Sequence, residues 1–289
     1  MGDSINFDVV VVGSCNLDLV STTTHLPLPG ETLRTIAYAE HAGGKGLNQA
    51  VACARMGART AFIGCVGNDS TGTMLRELLN SEGIDTSQLV TVDAPTGRAF
   101  ITVDALGENT IVIVAGANAH VGNSAITVPK SKVLLAQLEI PLDIVTQVFA
   151  QAQNAITVLN PAPAAQLSTE LLALCDVVVP NETESAALGG TQFLLGTGVA
   201  TIVTTLGERG AEISDNTSTV AVTPYPVNAI DTVGAGDAFV GALCAELARG
   251  ETIEHAARIA SVAGALATTI HGAVPSLPTR AAVMSLYAD

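Results

Sequence analysis

Short β-branched and apolar runs alternate along this chain with stretches whose apolar positions recur every three or four residues. Residues 7–12, 60–66, 132–138, 155–159, 176–179 and 201–205 predict strands. Residues 47–56, 71–80 and 141–152 predict helices, and the tail from Asp237 to Ala267 is mostly helical by the same spacing. The strands are apolar at consecutive positions, not alternate ones, so both of their faces are covered. Helices on both sides of a parallel sheet meet that demand, and the pattern predicts an α/β architecture. Ligands of such sheets bind beyond the carboxyl ends of the strands.

Two segments break the pattern. Asp18 to His41 is Thr-rich, punctuated by proline and without helical periodicity. Thr96 to Val114 alternates polar and apolar positions through Arg98, Phe100 and Thr102. Both read as antiparallel strands added to one edge of the sheet, a flap over a site. The lid segments run approximately over 16–42 and 96–114, and with no linker or repeat, residues 1–289 read as one domain.

Hydrophobic residues make up 48 % of the chain and charged ones 13 %, so a large core is easily filled. With no Trp and 3 % aromatic residues, that core is built from Val, Ile, Leu and Ala. A formal net charge of −15 argues against nucleic acid or an anionic membrane as partner. It is compatible with an anionic cofactor, because a local site can be positive inside an acidic protein. No stretch approaches the ~20 uninterrupted apolar residues of a membrane span. Met1 to Asp8 carries acids and no basic cluster, so no secretory signal is expected. Cys15, Cys53, Cys65, Cys175 and Cys244 are scattered and form no C-x-x-C pair. They predict buried reduced thiols in a cytoplasmic protein, with neither zinc nor disulfides.

The most informative motif is Asp231-Thr232-Val233-Gly234-Ala235-Gly236-Asp237, followed at once by a helical run. Small residues let a backbone approach a ligand closely, and a helix N-terminus offers free N–H groups and a positive dipole end. Asp237 then lies beside whatever anion those groups hold. As a phosphate ligand a carboxylate is repelled; as a base taking a proton from an attacking hydroxyl it fits. Phosphoryl transfer to an alcohol is the reading, against a plain loop and cap.

Gly43-Gly44-Lys45-Gly46 precedes the helix near Leu47. It is no Walker A loop, because Ala39 and Gly46 stand where that motif needs Gly and Ser or Thr. Close backbone approach to a polar ligand, with Lys45 and Asn48 as hydrogen-bonding side chains, competes with a flexible loop carrying a solvated lysine. Asn16 and Asp18 follow the first strand and face one way on extended chain, able to meet vicinal sugar hydroxyls or to form an Asx turn. Asn181 and Glu184 share a helix face and can hold water around a nucleotide-bound magnesium. An N-cap with a capping box explains the same two residues. Thr205-Leu206-Gly207-Glu208-Arg209-Gly210 sets two glycines near a possible phosphate or makes a hairpin turn. Glu139 closes an apolar strand and points into the crevice. His25, His41, His120, His255 and His271 show no metal-ligand spacing.

Together these pieces resemble the ribokinase branch of the PfkB sugar-kinase family, from Val10 to Pro278. The resemblance rests on Gly43-Gly44-Lys45-Gly46-x-Asn48-Gln49-Ala50 and on Asp231 through Phe239. Asn181-x-x-Glu184 and Thr205-x-Gly207-x-x-Gly210 lie between them, and Gly107-Glu108-Asn109-Thr110 and Gly116-Ala117-Asn118 add to it. It implies a ribokinase-like three-layer α/β fold whose small β-sheet lid also forms a homodimer contact. It implies ATP-dependent phosphorylation of ribose at its 5-hydroxyl, with Mg²⁺. Matching positions make Asn16, Asp18, Gly44, Lys45, Asn48 and Glu139 sugar contacts and Asp237 the base. Asn181, Glu184, Thr205, Gly207, Gly210, Gly236 and Ser261 would serve the ATP site. Backbone N–H groups of Gly234, Ala235, Gly236 and Asp237 would form an anion hole. A K⁺ activator would be held by the Asp231 carboxylate, the carbonyls of Val233, Ala267, Ile270 and Gly272, and the Ser276 hydroxyl. Val233, Ile270 and Ser261 depart from common family residues, and Ser261 bears on nucleotide preference.

Three other readings compete. A sibling kinase would act on deoxyribose, fructose or a nucleoside, but a nucleoside site calls for aromatic stacking near the lid, where Phe100 is alone in the second segment. A non-catalytic sugar-binding protein has no need of Asp237 beside its glycines. A dinucleotide oxidoreductase lacks its glycine fingerprint.

Overall fold

The computed structural model describes residues 6–152 and 154–287. In chain order its strands are β1 (Phe7–Val12), β2 (Asn16–Thr22), β3 (Ala37–Gly43), β4 (Thr60–Gly67), β5 (Asp85–Val92), β6 (Gly97–Val103) and β7 (Asn109–Val114). There follow β8 (Ser131–Ala136), β9 (Ile156–Leu159), β10 (Val177–Val178), β11 (Thr201–Thr205), β12 (Ala211–Ser214) and β13 (Thr219–Val222). The helices are α1 (Lys45–Arg55), α2 (Ser70–Ser81), α3 (Leu142–Ala150), α4 (Thr169–Ala173), α5 (Glu182–Ala187) and α6 (Thr191–Gly196). α7 (Ala235–Arg249), α8 (Ile253–Ala267), α9 (Ala273–Ser276) and α10 (Arg280–Tyr287) complete the chain.

A nine-stranded sheet runs β13-β12-β11-β10-β9-β8-β1-β4-β5. From β11 to β5 every neighbour is parallel; β12 and β13 form an antiparallel hairpin on one edge. The apolar run of β1 divides by parity. Val9 and Val11 pack under α1, α2, α7 and α8, while Val10 and Val12 pack against α3, α4 and α6. Both faces of β1 are therefore dry, as its consecutive valines require. The chain leaves β1 toward β4 on one side and returns through β8 on the other, so the strand order switches between β1 and β8. A crevice opens there at the carboxyl ends.

The segments that broke the helical pattern form a lid, but not as an extension of the main sheet. They make a separate four-stranded sheet, β3-β2-β6-β7. Its central pair, β2 with β6, is parallel, and only the outer pairings are antiparallel. The expectation of antiparallel strands on one edge is corrected for a topological reason. β2 and β6 each continue outward from the carboxyl end of a main-sheet strand, β1 and β5, so they run in the same direction. The edges of the large sheet are already occupied by β5 and β13. All five cysteines are buried and free, and among the described residues no helix is long and apolar enough to cross a membrane.

Candidate active site

Asp237 sits in the first turn of α7, buried to 8 % exposure. Gly234 is the N-cap in the left-handed conformation (φ 81°), with no side chain capping it. The first bond of this helix runs from Ala238 N–H to Gly234 O, so the N–H groups of Gly236 and Asp237 precede the ladder. An added Cβ at Gly234 would meet Ala273 Cα at 3.0 Å, while Gly236 faces open space. The glycine turn at the start of α7 leaves the Gly236 and Asp237 N–H groups without a partner among the described residues, while Ala235 N–H donates to Thr232 O at 3.3 Å; only Gly234 is fixed by its neighbours.

Asp237 does not hang free. Asn48 Nδ2 donates to its Oδ2 at 2.9 Å, and Gln49 Nε2 donates to its Oδ1 at 2.9 Å. Gln49 also donates to Asn160 Oδ1, accepts from Gln137 Nε2, and Asn160 donates to Val179 O. This chain of buried amides runs from α1 across the ends of β8, β9 and β10 and fixes the carboxylate from behind. Its members Gln49, Gln137 and Asn160 were assigned no role from the sequence. Their one visible signal is a polar side chain at the carboxyl end of an otherwise apolar strand or in the first turns of α1.

The sugar-side candidates converge on α1. Gly44 caps it with φ 89°, and Lys45 N–H and Ser14 Oγ both donate to Glu139 Oε2. Asn16 and Asp18 share a face of β2, and the Asp18 carboxylate lies over Gly43, where an added Cβ would stand 2.1 Å from Oδ2. Burial pushes the Asp18 carboxyl up to about 7, with Glu139 and Asp237 adding to the rise and Lys45 opposing it. Burial pulls the Lys45 ammonium down, but Asp237, Glu139, Glu184 and Asp18 outweigh it, so Lys45 is held above its ordinary value. One part-buried cation thus neutralises part of a carboxylate cluster.

A cavity beside these groups is lined by Lys45, Asn160, Asn181, Glu184, Thr205 and Asp237, with Gly234 and Gly236 at its rim. Asn181 and Glu184 form a reciprocal capping box at the start of α5. Burial raises the Glu184 carboxyl even so, against the backbone bond to Asn181 and the Lys45 charge. Thr205 ends β11, and the turn after it is a hairpin into β12. Its two glycines differ: an added Cβ at Gly210 would stand 2.1 Å from Val222 O, whereas one at Gly207 would meet nothing within 4 Å. Gly210 is explained by packing, and Gly207 leaves room for a ligand. Ser261 lies on α8, 9 % exposed, with its hydroxyl donating to Thr223 O.

The Asp231 carboxylate ties two loops, accepting from Val233 N–H at 3.0 Å and Gly272 N–H at 2.8 Å. Ser276 Oγ donates to Ala273 O. Among the described residues the carbonyls of Val233, Ala267, Ile270 and Gly272 accept no hydrogen bond. A carboxylate and backbone carbonyls are oxygen donors of the kind a hard cation takes.

A polar crevice at a strand-order switch, with a buried carboxylate beside an uncapped helix start, defines a phosphotransferase site in an α/β frame. The pfkB family carbohydrate kinase model matches residues 6–280, and the chain belongs to that family. Within it, the chain is 40 % identical to the ribokinase of Haemophilus influenzae over 293 residues, covering 94 % of this chain and 95 % of that one. The ribokinase structure from Thermotoga maritima superposes with a TM-score of 0.92 at 34 % identity, covering 98 % of this chain and 100 % of that one. The Arabidopsis thaliana ribokinase complexed with ribose and ATP superposes at 0.88 and 30 % identity, over 97 % and 98 %.

Proposed function

We propose that this chain is an ATP-dependent kinase that phosphorylates ribose at its 5-hydroxyl, with Asp237 as the general base. The observation that carries the reading is the buried Asp237 carboxylate, oriented by two amides beside the uncapped Gly234–Gly236 turn. The base takes the hydroxyl proton as the oxygen attacks the γ-phosphorus, and the α7 N–H groups with Lys45 face the charge on the transferring group. Asn16, Asp18, Gly44, Lys45, Asn48 and Glu139 hold the sugar. Asn181, Glu184, Thr205, Gly207, Gly236 and Ser261 serve the nucleotide, and Gly210 shapes the turn that carries Gly207 to it.

Mg²⁺ travels with the nucleotide phosphates, and the half-buried Glu184 carboxylate suits a water-mediated contact to it. K⁺ suits the Asp231, Val233, Ala267, Ile270, Gly272 and Ser276 oxygens, where its charge would stiffen the loop behind the anion hole. Residues 1–289 act as one kinase domain. The exposed apolar side chains of Phe100, Ile111, Val112, Ile113 and Val114 support a homodimer closed through the lid, and the buried free thiols support a cytoplasmic location. Phe100 pairs with Leu19, on the lid face opposite Asp18, so it cannot stack on a ligand held by Asp18. That weighs against a nucleoside substrate.

A coupled ADP-release assay over pentoses, hexoses and nucleosides tests the reading. Ribose should give the highest kcat/KM. A higher value for deoxyribose, a hexose or a nucleoside would overturn the choice of substrate.

A further inference from the structure

We propose that Asn118, which lies outside the substrate site, sets the hydrogen-bonding polarity of Asn16 and so helps select the sugar. The inference rests on the reading of Asn16 and Asp18 as sugar contacts. Asn118 sits in a single 3₁₀ turn, Gly116–His120, just after β7, and is 1 % exposed. Its side chain makes three bonds. Cys15 N–H donates to Oδ1 at 2.9 Å, and Nδ2 donates to Cys15 O at 3.2 Å and to Asn16 Oδ1 at 2.7 Å.

These bonds form a relay whose direction is forced. A backbone N–H can only donate, so the atom of Asn118 that meets Cys15 N–H is its oxygen. The other end of the amide is then the NH₂ group, and it needs acceptors. Cys15 O is one; the atom of Asn16 facing it must therefore be Oδ1. Asn16 is left with Nδ2, which makes no hydrogen bond among the described residues. Because Asn16 lies on the Asp18 face of β2, the pair offers a ligand one donor beside one acceptor.

A second observation supports the relay. Gly97, opposite Asn16 on β6, leaves the space that the contact needs. An added Cβ there would lie 2.2 Å from Asn16 Oδ1 and 2.3 Å from Asn118 Nδ2. The chemistry selected is a polyol with two neighbouring oxygens, one accepting from Asn16 and one donating to Asp18.

Asn118→Asp tests this with the shape retained. One carboxylate oxygen still accepts from Cys15 N–H, but the other repels Cys15 O and Asn16 Oδ1, so the Asn16 amide turns over and presents oxygen to the sugar. The ribose KM should rise about tenfold or more, because a site group is left unpaired. The ATP KM should stay within about twofold. Asn118→Ala loses all three bonds yet leaves Asn16 free to adopt either orientation, so its ribose KM should rise less than that of Asn118→Asp. A merely structural role gives the opposite order, with Ala the worse variant and both KM values moving. Unchanged ribose KM in Asn118→Asp, or Ala worse than Asp, overturns the inference. If Asn118→Asp does not fold, an unchanged ribose KM in Asn118→Ala overturns it. A parent enzyme that turns over no ribose would instead overturn the functional reading beneath it.

Discussion

Of the helices that begin at glycines with positive φ, α1 and α7 flank the candidate site, and their N-termini meet opposite fates. At α1 the pole is filled from within: Glu139 accepts from Lys45 N–H, and Ser14 Oγ accepts from Gly46 N–H at 3.3 Å. At α7 no side chain caps the helix, and the one carboxylate of its first turn, Asp237, is drawn sideways to Asn48 and Gln49 of α1. The positive end of α1 is thus spent on the protein's own anion, and that of α7 is left for an anion from outside. On the proposed function, a neutral sugar lies over the first and a phosphoryl group at the second. The amides of α1 hold the α7 carboxylate between them.

The sharpest way to break this contrast is Asp237→Asn, which keeps the shape and removes the proton acceptor. Turnover should fall about 10²–10⁴-fold with a modest change in KM. Retention of more than about a tenth of parental kcat would mean that the carboxylate is not the base.

Next in size is Gly234→Ala. The residue is left-handed and its added Cβ would press on Ala273 Cα at 3.0 Å. Strain of about 1–3 kcal/mol should lower the unfolding free energy in urea. kcat should fall with it at temperatures where the variant is folded. The matching change at the other pole, Gly44→Ala, should instead raise the sugar KM, since that turn faces Asn16 and Cys15. If both variants fall in kcat alone, the division of labour between the helices is wrong.

The parity of β1 and the helical spacing of α1, α7 and α8 are local patterns, and each was legible in the chain. β5 was not, because Asp85, Thr86, Ser87 and Gln88 give an edge strand a polar start. The hairpin of β12 and β13 escaped for its short, four-residue strands. Among site residues, those next to glycines announced themselves. Gln49, Gln137, Asn160 and Asn118 did not, because a buried amide looks like any polar position until its partner, 188 residues away for Gln49 and Asp237, is brought beside it. The contrast between the two helix poles was equally hidden, since both begin with glycine-rich sequence and only tertiary structure supplies Glu139 to one of them.

The smallest expected effect is on pH. The folded Asp18 carboxyl sits near 7, raised from 3.8 by burial and then by Glu139 and Asp237. The folded protein therefore binds this proton more tightly than the unfolded chain does. The group's contribution to stability is present below its unfolded value and is lost as pH rises through about 7. A sugar that donates to the ionised carboxylate pulls the other way, so its KM should fall as pH rises from about 6 to 8, by less than tenfold per unit. Asp18→Asn should flatten both trends. A ribose KM that rises over this range would show that the protonated form is the one that binds.

The position of the transferring group itself can be seen directly, in a crystal structure of the protein with ADP, aluminium fluoride, Mg²⁺ and ribose. The fluoroaluminate should lie about 3 Å from the N–H groups of the Gly234–Asp237 turn. The ribose 5-hydroxyl should lie between it and the Asp237 carboxylate. A fluoroaluminate seated at the start of α1, or a ribose hydroxyl out of reach of Asp237, would contradict the assignment of the open helix pole to phosphoryl transfer.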